Sequence, residues 1–458
     1  MLNRFARNVV WMLPFFATTG ALAQDSARDT PELHRLSEQT APWVSPTLQL
    51  QSWFTAWDQD ENPQADAGGY GDPEHDTGFT IPRARIGLGG AYKMVSFRLL
   101  AGTSRAVDAL QDDPAPFELV AGWVRTTFDT GSGSVILTLG SHQAPFSREM
   151  QISSNDLIFQ ERSVSTNWLA INRDLGFSAR YAYKWFSLAG GVYNGGGNLW
   201  GDDDPGLRVA ARADVHIGGD TYRTNASDSA FGFGAAYMFD KRFTTTTQRV
   251  GVDMLARYKG LTLLAEATLN RLDPDDTPVI LPPDVPEVTQ RLGGFAQVSY
   301  YRELPLGAIE PAVRFSYLDD ATHLQDNGDV GILHGGVSWR EPIPFVDIGA
   351  GYIHRMEFQG AAVDNDSVRA WVGFQYPSRK HQPLDLMTMV RAATTPGGKG
   401  TWRPSCENGS CETPCEDKGQ PCKDGSCETP CEDGSSSSQE VNSDPVRGKK
   451  GRKNGRIE

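Results

Sequence analysis

Between about Thr47 and Tyr376 the sequence repeats one unit, about ten residues of alternating apolar and polar character followed by a turn or a polar loop. In the stretch 206–217, Leu207, Val209 and Ala211 alternate with Arg208 and Arg212. Successive side chains of a β-strand point to opposite faces, so each unit predicts a strand with one apolar and one polar face. The sixteen candidate strands begin near Thr47, Phe79, Lys93, Phe117, Ser134, Asp174, Trp185, Gly206, Ser229, Gln248, Leu261, Gln290, Ala308, Asp329, Phe345 and Ser367.

Strands of this kind occur both in soluble β-sandwiches and in transmembrane β-barrels. Two features favour the barrel. The polar faces carry arginine repeatedly, rather than the Thr, Ser and Lys mixture of a solvated sheet. Several strands end in aromatic residues suited to a membrane interface, such as Tyr92, Phe128 and Tyr376. We therefore predict an all-β fold, a 16-stranded antiparallel transmembrane β-barrel over residues 47–376.

The first 23 residues have the organisation of a secretory signal peptide. Arg4 and Arg7 precede an apolar core at 9–17, and the small residues Ala21 and Ala23 mark a cleavage site. We expect an exported mature chain in which residues 24–46 form a polar lead-in. Export and a formal net charge of −14 both disfavour nucleic acid as a partner. The sequence holds no run of about 18 apolar residues, so it predicts no transmembrane helix.

A polar stretch from Gly140 to Ser163 interrupts the strand pattern. It is too rich in Ser, Pro, Asn and Gln to be a strand, yet Phe146, Met150 and Phe159 argue against disorder. Long ordered loops between strands are usually functional. We predict that this loop folds against the inside of the barrel.

The loop resembles the motif of the phosphate-selective porin O and P family. The residues that carry the resemblance are Gly140, Pro145, Phe146, Glu149, Ser153, Ser154, Phe159, Glu161 and Arg162. The Arg-x-Arg strand around 83–85 and the stretches 172–176 and 192–197 are also similar to the family. The resemblance implies a 16-stranded channel of the bacterial outer membrane, usually a homotrimer, whose inward-folded loop narrows the pore. Its constriction-loop motif would comprise Pro145, Phe146, Glu149, Ser153, Ser154 and Arg162.

Arginine predominates on the strand faces that we assign to the interior. The predicted pore-lining or anion-binding residues are Arg83, Arg85, Arg98, Arg125, Arg148, Arg180, Arg208 and Arg212. Acidic residues of the same parity are fewer: Asp214, Asp253, Glu266 and Asp347. Because the planar guanidinium group binds oxyanions in a bidentate manner, we predict a passive porin for small anions, phosphate-type oxyanions first.

Two alternatives stay open for these charged residues. The interior arginines could pair with carboxylates and only fill the barrel, and Arg148 and Glu149 could fasten the loop to the wall. The loop offers only two arginines, at 148 and 162, against the acidic Glu149, Asp156 and Glu161.

The sequence shows no local signature of catalysis. It has no nucleotide-binding glycine motif, no nucleophile elbow and no histidine pair at metal-ligand spacing. We predict that the protein is not an enzyme and that it carries no cofactor and no metal ion.

All six cysteines lie in a tail that follows the barrel, at Cys406, Cys411, Cys415, Cys422, Cys427 and Cys431. Residues 377–404 read as a linker, 405–434 as a Cys-rich repeat and 435–458 as a low-complexity basic end. In an exported chain the repeat predicts disulfides, with zinc as the alternative. We expect the tail, disordered or disulfide-knotted, in the periplasm, with its partner unknown. A second hypothesis follows: a structural barrel anchor that presents this tail to the envelope, with little or non-selective conductance.

A chain that ends at Ser378 should still insert, trimerise and conduct, because an even strand count places both barrel ends on one side and leaves the tail outside the pore. The full-length protein should show no free thiols by intact mass. Planar-bilayer conductance of the shortened chain tests whether it still forms a channel. Loss of conductance would make the tail part of the channel, and cleavage of the tail by protease on intact cells would contradict its periplasmic position.

Overall fold

A computed structural model describes residues 42–57, 77–104, 117–171, 173–196, 206–242, 245–274, 288–323, 329–358 and 366–377. The predicted signal peptide, most of the lead-in and the tail with its six cysteines lie outside these residues.

Regular alternation of side chains produces sixteen long strands in the described chain. They are β1 Trp43–Trp57, β2 Gly78–Tyr92, β3 Val95–Ser104, β4 Glu118–Asp129, β5 Gly133–Gln143, β6 Arg173–Tyr183, β7 Phe186–Tyr193, β8 Arg208–Gly218, β9 Ala230–Lys241, β10 Thr245–Tyr258, β11 Leu261–Pro274, β12 Thr289–Tyr300, β13 Ala308–Asp319, β14 Val330–Ile343, β15 Val346–Glu357 and β16 Ser367–Tyr376. A two-residue segment, Arg302–Glu303, follows β12 and pairs with the start of β13, so it continues the pairing that β12 makes with that strand.

The sheet closes on itself. Each strand pairs antiparallel with its neighbours in sequence. The first strand also pairs with the last, from Leu48 opposite Tyr376 to Trp57 opposite Ser367. The prediction of a 16-stranded antiparallel barrel is therefore confirmed, and closure leaves no unpaired sheet edge.

The two faces of the wall differ as the alternation predicts. In β8 the interior residues Arg208, Arg212 and Asp214 are buried, whereas the exterior Val209 is exposed. Large apolar side chains cover the exterior, including Ile86, Leu139, Leu188, Val250, Val313 and Val372. An apolar outer band with a polar interior is the arrangement of a membrane-spanning barrel.

The first strand begins at Trp43, before the expected start at Thr47. Its pairing with β16 begins only at Leu48, so residues 43–47 pair with β2 alone. Proline lacks an N–H group, and a position with one paired side tolerates that loss. Pro46 therefore lies inside the strand instead of ending it.

Two short helices occupy the connection between β5 and β6. They are α1 Arg148–Gln151 and α2 Val164–Leu169. Among the described residues, no helix has the length and apolar character needed to cross a membrane. This connection, residues 144–171, is called the constriction loop below.

Replacing Ile86 by Arg should hinder insertion, because the side chain lies on the exterior face and is 53% exposed. A cost of about 2–4 kcal/mol is expected for Arg at the bilayer midplane. Folding into lipid vesicles, followed by heat-dependent electrophoretic mobility, measures the effect. Thr127→Arg is the matched control, because Thr127 shares the interior parity of Arg125 on β4. Equal behaviour of the two variants would contradict the assignment of the faces.

Candidate functional site

Apolar side chains of the constriction loop pack against the interior of the barrel. Phe146 and Met150 join a buried cluster with Met238 of β9, and Ile152 and Leu157 pack with residues of β10, β11 and β12. Phe159 stacks on the ring of His334, with 3.7 Å between centroids. Val164 and Leu169 of α2 pack against β13, β14 and β15. The loop therefore lies inside the barrel, as the sequence predicts.

An internal brace holds the two helices of the loop together. Ser147 caps the start of α1 and Ser163 caps the start of α2. The Glu149 carboxylate accepts hydrogen bonds from the Ser163 amide at 3.1 Å and hydroxyl at 2.8 Å. Arg162 donates to the carbonyl groups of Glu149, Met150 and Ile152 at 3.1–3.3 Å. Burial lowers the pKa of the Arg162 guanidinium, and the carboxylates of Glu149 and Glu266 oppose that shift.

A buried charge network fastens α1 to the wall. Arg148 donates to Asp253 at 2.6 Å and to Asp214 at 3.1 Å. Arg212 bonds to the same two carboxylates, at 2.7 Å and 2.6 Å, and also to the Phe146 carbonyl. All four side chains are at most 2% exposed. Two arginines against two aspartates balance the formal charge, so these guanidinium groups are occupied by carboxylates.

Small residues on β9 make room for this network. A Cβ atom on Gly234 would lie 2.2 Å from Arg212 Nη2, and one on Gly232 would lie 3.0 Å from Arg148 Nη1. A larger side chain at Gly234 would displace the Arg212 guanidinium group, and one at Gly232 would press on Thr221 and Arg148. The alternation Phe231-Gly232-Phe233-Gly234 therefore places apolar bulk towards the membrane and free space towards the loop.

Arginines on the opposite wall bind the backbone of the loop. Arg314 donates to the Glu161 carbonyl at 2.9 Å and to the Glu149 carboxylate at 3.3 Å. Arg340 donates to the Leu157 carbonyl at 2.8 Å, and Arg369 pairs with Glu161 at 2.5 Å. Buried carbonyl groups need hydrogen-bond partners, and these arginines provide them where the loop has no regular structure.

The first two strands contact the middle of the loop through polar side chains. Gln49 donates to Ser154 Oγ at 2.9 Å, and Arg85 donates to the same atom at 3.5 Å and to Gln49 at 3.3 Å. Arg83 donates to the Gln160 carbonyl at 2.5 Å and to Gln51 at 2.7 Å. Here the loop and the wall meet at a surface rich in hydrogen-bond donors.

The wall formed by β3 to β6 is less covered by the loop. Arg98 on β3 is exposed, and Arg125 on β4 and Arg180 on β6 are partly exposed. Arg125 lies over the Trp123 ring at 4.6 Å, and Arg180 donates to Gln151 of the loop at 3.0 Å. On β8 to β16, the interior arginines at 208, 212, 257, 314, 340, 355 and 369 are buried, whereas Arg249 and Arg291 are partly exposed.

Five arginines combine into one positive cluster at this side of the interior. Arg85 and Arg173 lie near Arg83, Arg98 and Arg162, whereas Glu161 lies near Arg83, and Glu149 and Glu266 lie near Arg162. Arg85 and Arg162 are themselves buried. The cluster joins β2, β3, the loop and the start of β6. It lies on the less covered side of the constriction loop.

The eight arginines predicted to line the pore thus fall into two groups. Arg83, Arg85 and Arg98 belong to the positive cluster, and Arg125 and Arg180 stand on the adjoining wall. Arg148 and Arg212 form the buried network, and Arg208 pairs with Asp174 at 2.5 Å and Asp240 at 2.8 Å. Of the loop motif, Pro145, Phe146, Glu149 and Arg162 are buried, Ser154 is partly exposed, and Ser153 is exposed.

Sequence reasoning missed several residues that shape this site. Arg173 belongs to the positive cluster, Gln49 and Gln160 border it, and Tyr222 lies against the buried network. The one sequence signal for them is the alternation of Gly232 and Gly234 with phenylalanine on β9, which leaves space on the interior face. Within the described part of the chain, no group of three or more His, Cys, Asp or Glu side chains could hold a metal ion.

Comparison with protein families agrees with this architecture. A model described as phosphate-selective porin O and P matches residues 59–376. The chain belongs to the phosphate-selective porin O and P family. It is therefore an outer-membrane porin. None of the curated proteins compared with the chain matches it.

Several solved porin structures are similar to this porin. The anion-selective porin from Comamonas acidovorans is 11% identical, with 73% of this chain and 100% of that chain covered and a TM-score of 0.48. The outer-membrane channel DcaP of Acinetobacter baumannii is 13% identical, with 74% and 98% covered and a TM-score of 0.47. OprB of Pseudomonas putida is 10% identical, with 73% and 94% covered and a TM-score of 0.48.

Replacing Arg148 by Met should destabilise the porin by about 3–5 kcal/mol, because it removes one member of a buried charge network. Equilibrium unfolding by denaturant in lipid vesicles measures the change. Arg271→Met is the matched control, since Arg271 pairs with Asp273 at the exterior with side chains 52% and 42% exposed. Exposed pairs contribute about 0–1 kcal/mol. An equally small effect of Arg148→Met would show that the network does not hold the loop.

Proposed function

We propose that this porin passes small anions, phosphate-type oxyanions first, through an off-centre passage between the constriction loop and the wall formed by β2 to β6. The cluster of Arg83, Arg85, Arg98, Arg162 and Arg173 carries this proposal. Rings and clusters of cationic side chains select anions in narrow pores. On the other side of the loop, Arg148 and Arg212 are already paired with carboxylates, so we place no passage there.

The electrostatic argument rests on like charges held close together. Each guanidinium group in the cluster raises the energy of the others, and an anion that enters lowers the energy of all of them. Because the protein interior screens charge less than bulk water, the attraction is stronger at the constriction than at the mouths. The same field repels cations, so it provides selectivity without a tight binding site.

The donors around the loop suit an oxyanion better than a halide. Arg85, Ser154 and Gln49 lie within 3.5 Å of one another and are hydrogen-bonded together, with Gln49 also donating to Asn155, so a bound oxyanion would replace these bonds. Charged and neutral donors that converge in this way match the several acceptor oxygens of a phosphate. We propose that this group of side chains is where an oxyanion pauses.

Assembly and orientation are part of the proposal. We propose a homotrimer in the lipid of the outer membrane, with the tight turns and the tail on the periplasmic side. Family membership supports the homotrimer. The long connections at the opposite end of the barrel support the periplasmic position of the tight turns. Native mass spectrometry tests the trimer.

Replacing Arg98 and Arg125 together by Gln should lower the anion-to-cation permeability ratio by about two-fold or more. A unit charge about 8 Å from the ion path contributes about 0.5–2 kcal/mol, depending on the effective dielectric constant. Reversal potentials in a KCl gradient across a planar bilayer give the ratio. Phosphate added to one side should reduce the chloride conductance of the wild type more than that of the variant.

Arg271→Gln serves as the control, because it removes a charge from an exposed site on the exterior parity of β11. An unchanged ratio in the folded double variant would contradict the location of the passage. A wild-type protein without steady conducting steps would overturn the porin proposal and favour the barrel anchor. Conductance that phosphate leaves unaffected would limit the proposal to small anions in general.

A further inference from the structure

The connection between β8 and β9 is longer than its counterparts at the same end of the barrel. β8 ends at Gly218 and β9 begins at Ala230, so residues 219–229 form an eleven-residue segment. The connections β2–β3, β6–β7, β10–β11 and β14–β15 at that end each have two residues. We call residues 219–229 the inner connector.

The inner connector folds into the barrel and meets the constriction loop, which enters from the opposite end. Arg148 Nη1 donates to the Thr221 carbonyl at 2.9 Å. Thr224 Oγ1 donates to the Asp156 carbonyl at 3.0 Å, and Asn225 Nδ2 donates to the Asp156 carboxylate at 3.1 Å. Thr221, Thr224 and Asn225 are buried, at 0–3% exposure. The two segments therefore form one joined structure inside the porin.

The wall holds the inner connector from its other side. Arg257 donates to the carbonyl groups of Asp220 and Asp228 at 3.0 Å each, and to the Asp228 carboxylate at 2.7 Å. Thr262 donates to the Thr224 carbonyl at 3.1 Å. The Tyr222 amide donates to Asp220 Oδ1 at 2.8 Å, which fixes the turn locally. Bonds from both sides define one conformation of the segment.

Tyr222 lies at the centre of the joined structure, among three guanidinium groups. Its ring centroid is 4.8 Å from Arg148 and 5.9 Å from both Arg180 and Arg212. Its hydroxyl accepts a hydrogen bond from Arg212 Nε at 3.2 Å. The electron-rich face of an aromatic ring attracts cations. Burial raises the pKa of the Tyr222 phenol against the opposing effect of Arg212, so the ring acts as a neutral platform.

Arg180 connects this platform to the proposed passage. It stands on the less covered wall and also donates to Gln151 of the constriction loop at 3.0 Å. Tyr222 therefore contacts a partly exposed guanidinium on one side and the buried network on the other.

We propose that the inner connector is a second constriction of the passage and that Tyr222 is its specificity-determining residue, positioning the Arg180 guanidinium towards the permeating anion. This inference rests on the proposed function. Loss of the ring would widen the passage near Arg180 and remove one of the contacts that position that side chain, leaving its bond to Gln151. The passage would then be larger and less selective at this level.

Tyr222→Leu tests the proposal in the full-length porin. Its single-channel conductance should rise, and its anion-to-cation permeability ratio should fall about two- to five-fold, the size expected of one cation–π contact. Tyr222→Phe keeps the ring and loses only the hydroxyl, so it should retain most of the selectivity. Tyr258→Leu is the control, because Tyr258 is 63% exposed on the exterior. Heat-dependent electrophoretic mobility verifies folding of each variant.

Unchanged conductance and selectivity in folded Tyr222→Leu, beside a selective wild type, would overturn this inference and leave the proposed function standing. The same would follow if Tyr222→Phe lost as much selectivity as Tyr222→Leu, because the ring would then not be the active element. A wild type that conducts without anion preference would overturn the proposed function. In that case a conductance increase in Tyr222→Leu would still support the second constriction. A wild type that does not conduct overturns both.

Discussion

Hydrogen bonds from arginine side chains to the buried carbonyl groups of the constriction loop organise the interior of this porin. A constriction loop with only two short helices leaves many carbonyl groups without helical partners, and such groups are costly where the loop is buried against the wall. Arginines of the wall meet this need: Arg314 and Arg340 bind loop carbonyls and carboxylates together. Within the loop, Arg162 donates hydrogen bonds to the carbonyl groups of Met150 and Ile152 at the end of α1. Because each guanidinium group has five donors, one side chain can neutralise an acid and hold the backbone at once.

Arginine thus has two roles that its place in the barrel decides. On β8 to β16, Arg212, Arg314, Arg340 and Arg369 are buried, pair with carboxylates and bind the loop, whereas Arg249 and Arg291 are partly exposed. On β3 to β6 the loop covers the wall less completely and Arg98 is exposed, while Arg83 and Arg85 of the neighbouring β2 bond to the loop and lie near Arg98, Arg162 and Arg173. We propose that the less covered side is where positive charge meets the permeating anion. The inner connector extends this logic, since Tyr222 lies where the two groups of arginines meet.

The sequence was sufficient for the barrel because a period of two is a local property. The faces of β8 and β16 follow directly from alternate residues, and so does the number of strands. Whether an arginine such as Arg208 or Arg98 faces an acid or the passage depends on contacts between segments far apart in sequence, which periodicity does not contain. The start of β1 at Trp43 depends on pairing with the end of β2, which the alternation of β1 alone does not show. Residues 219–229 were missed because an inward polar segment has the same composition as an outward loop. Gly232 and Gly234 were the local sign that space had been left for it.

The central claim is that anions pass on the side of the positive cluster and not beside the buried network. Crystals of the porin soaked in bromide, examined by anomalous diffraction, test it most directly. The account predicts anomalous peaks within contact distance of Arg83, Arg85 or Arg98, and further peaks along the wall towards Arg125 and Arg180. Peaks beside Arg212 and Arg314, with none near the cluster, would contradict it.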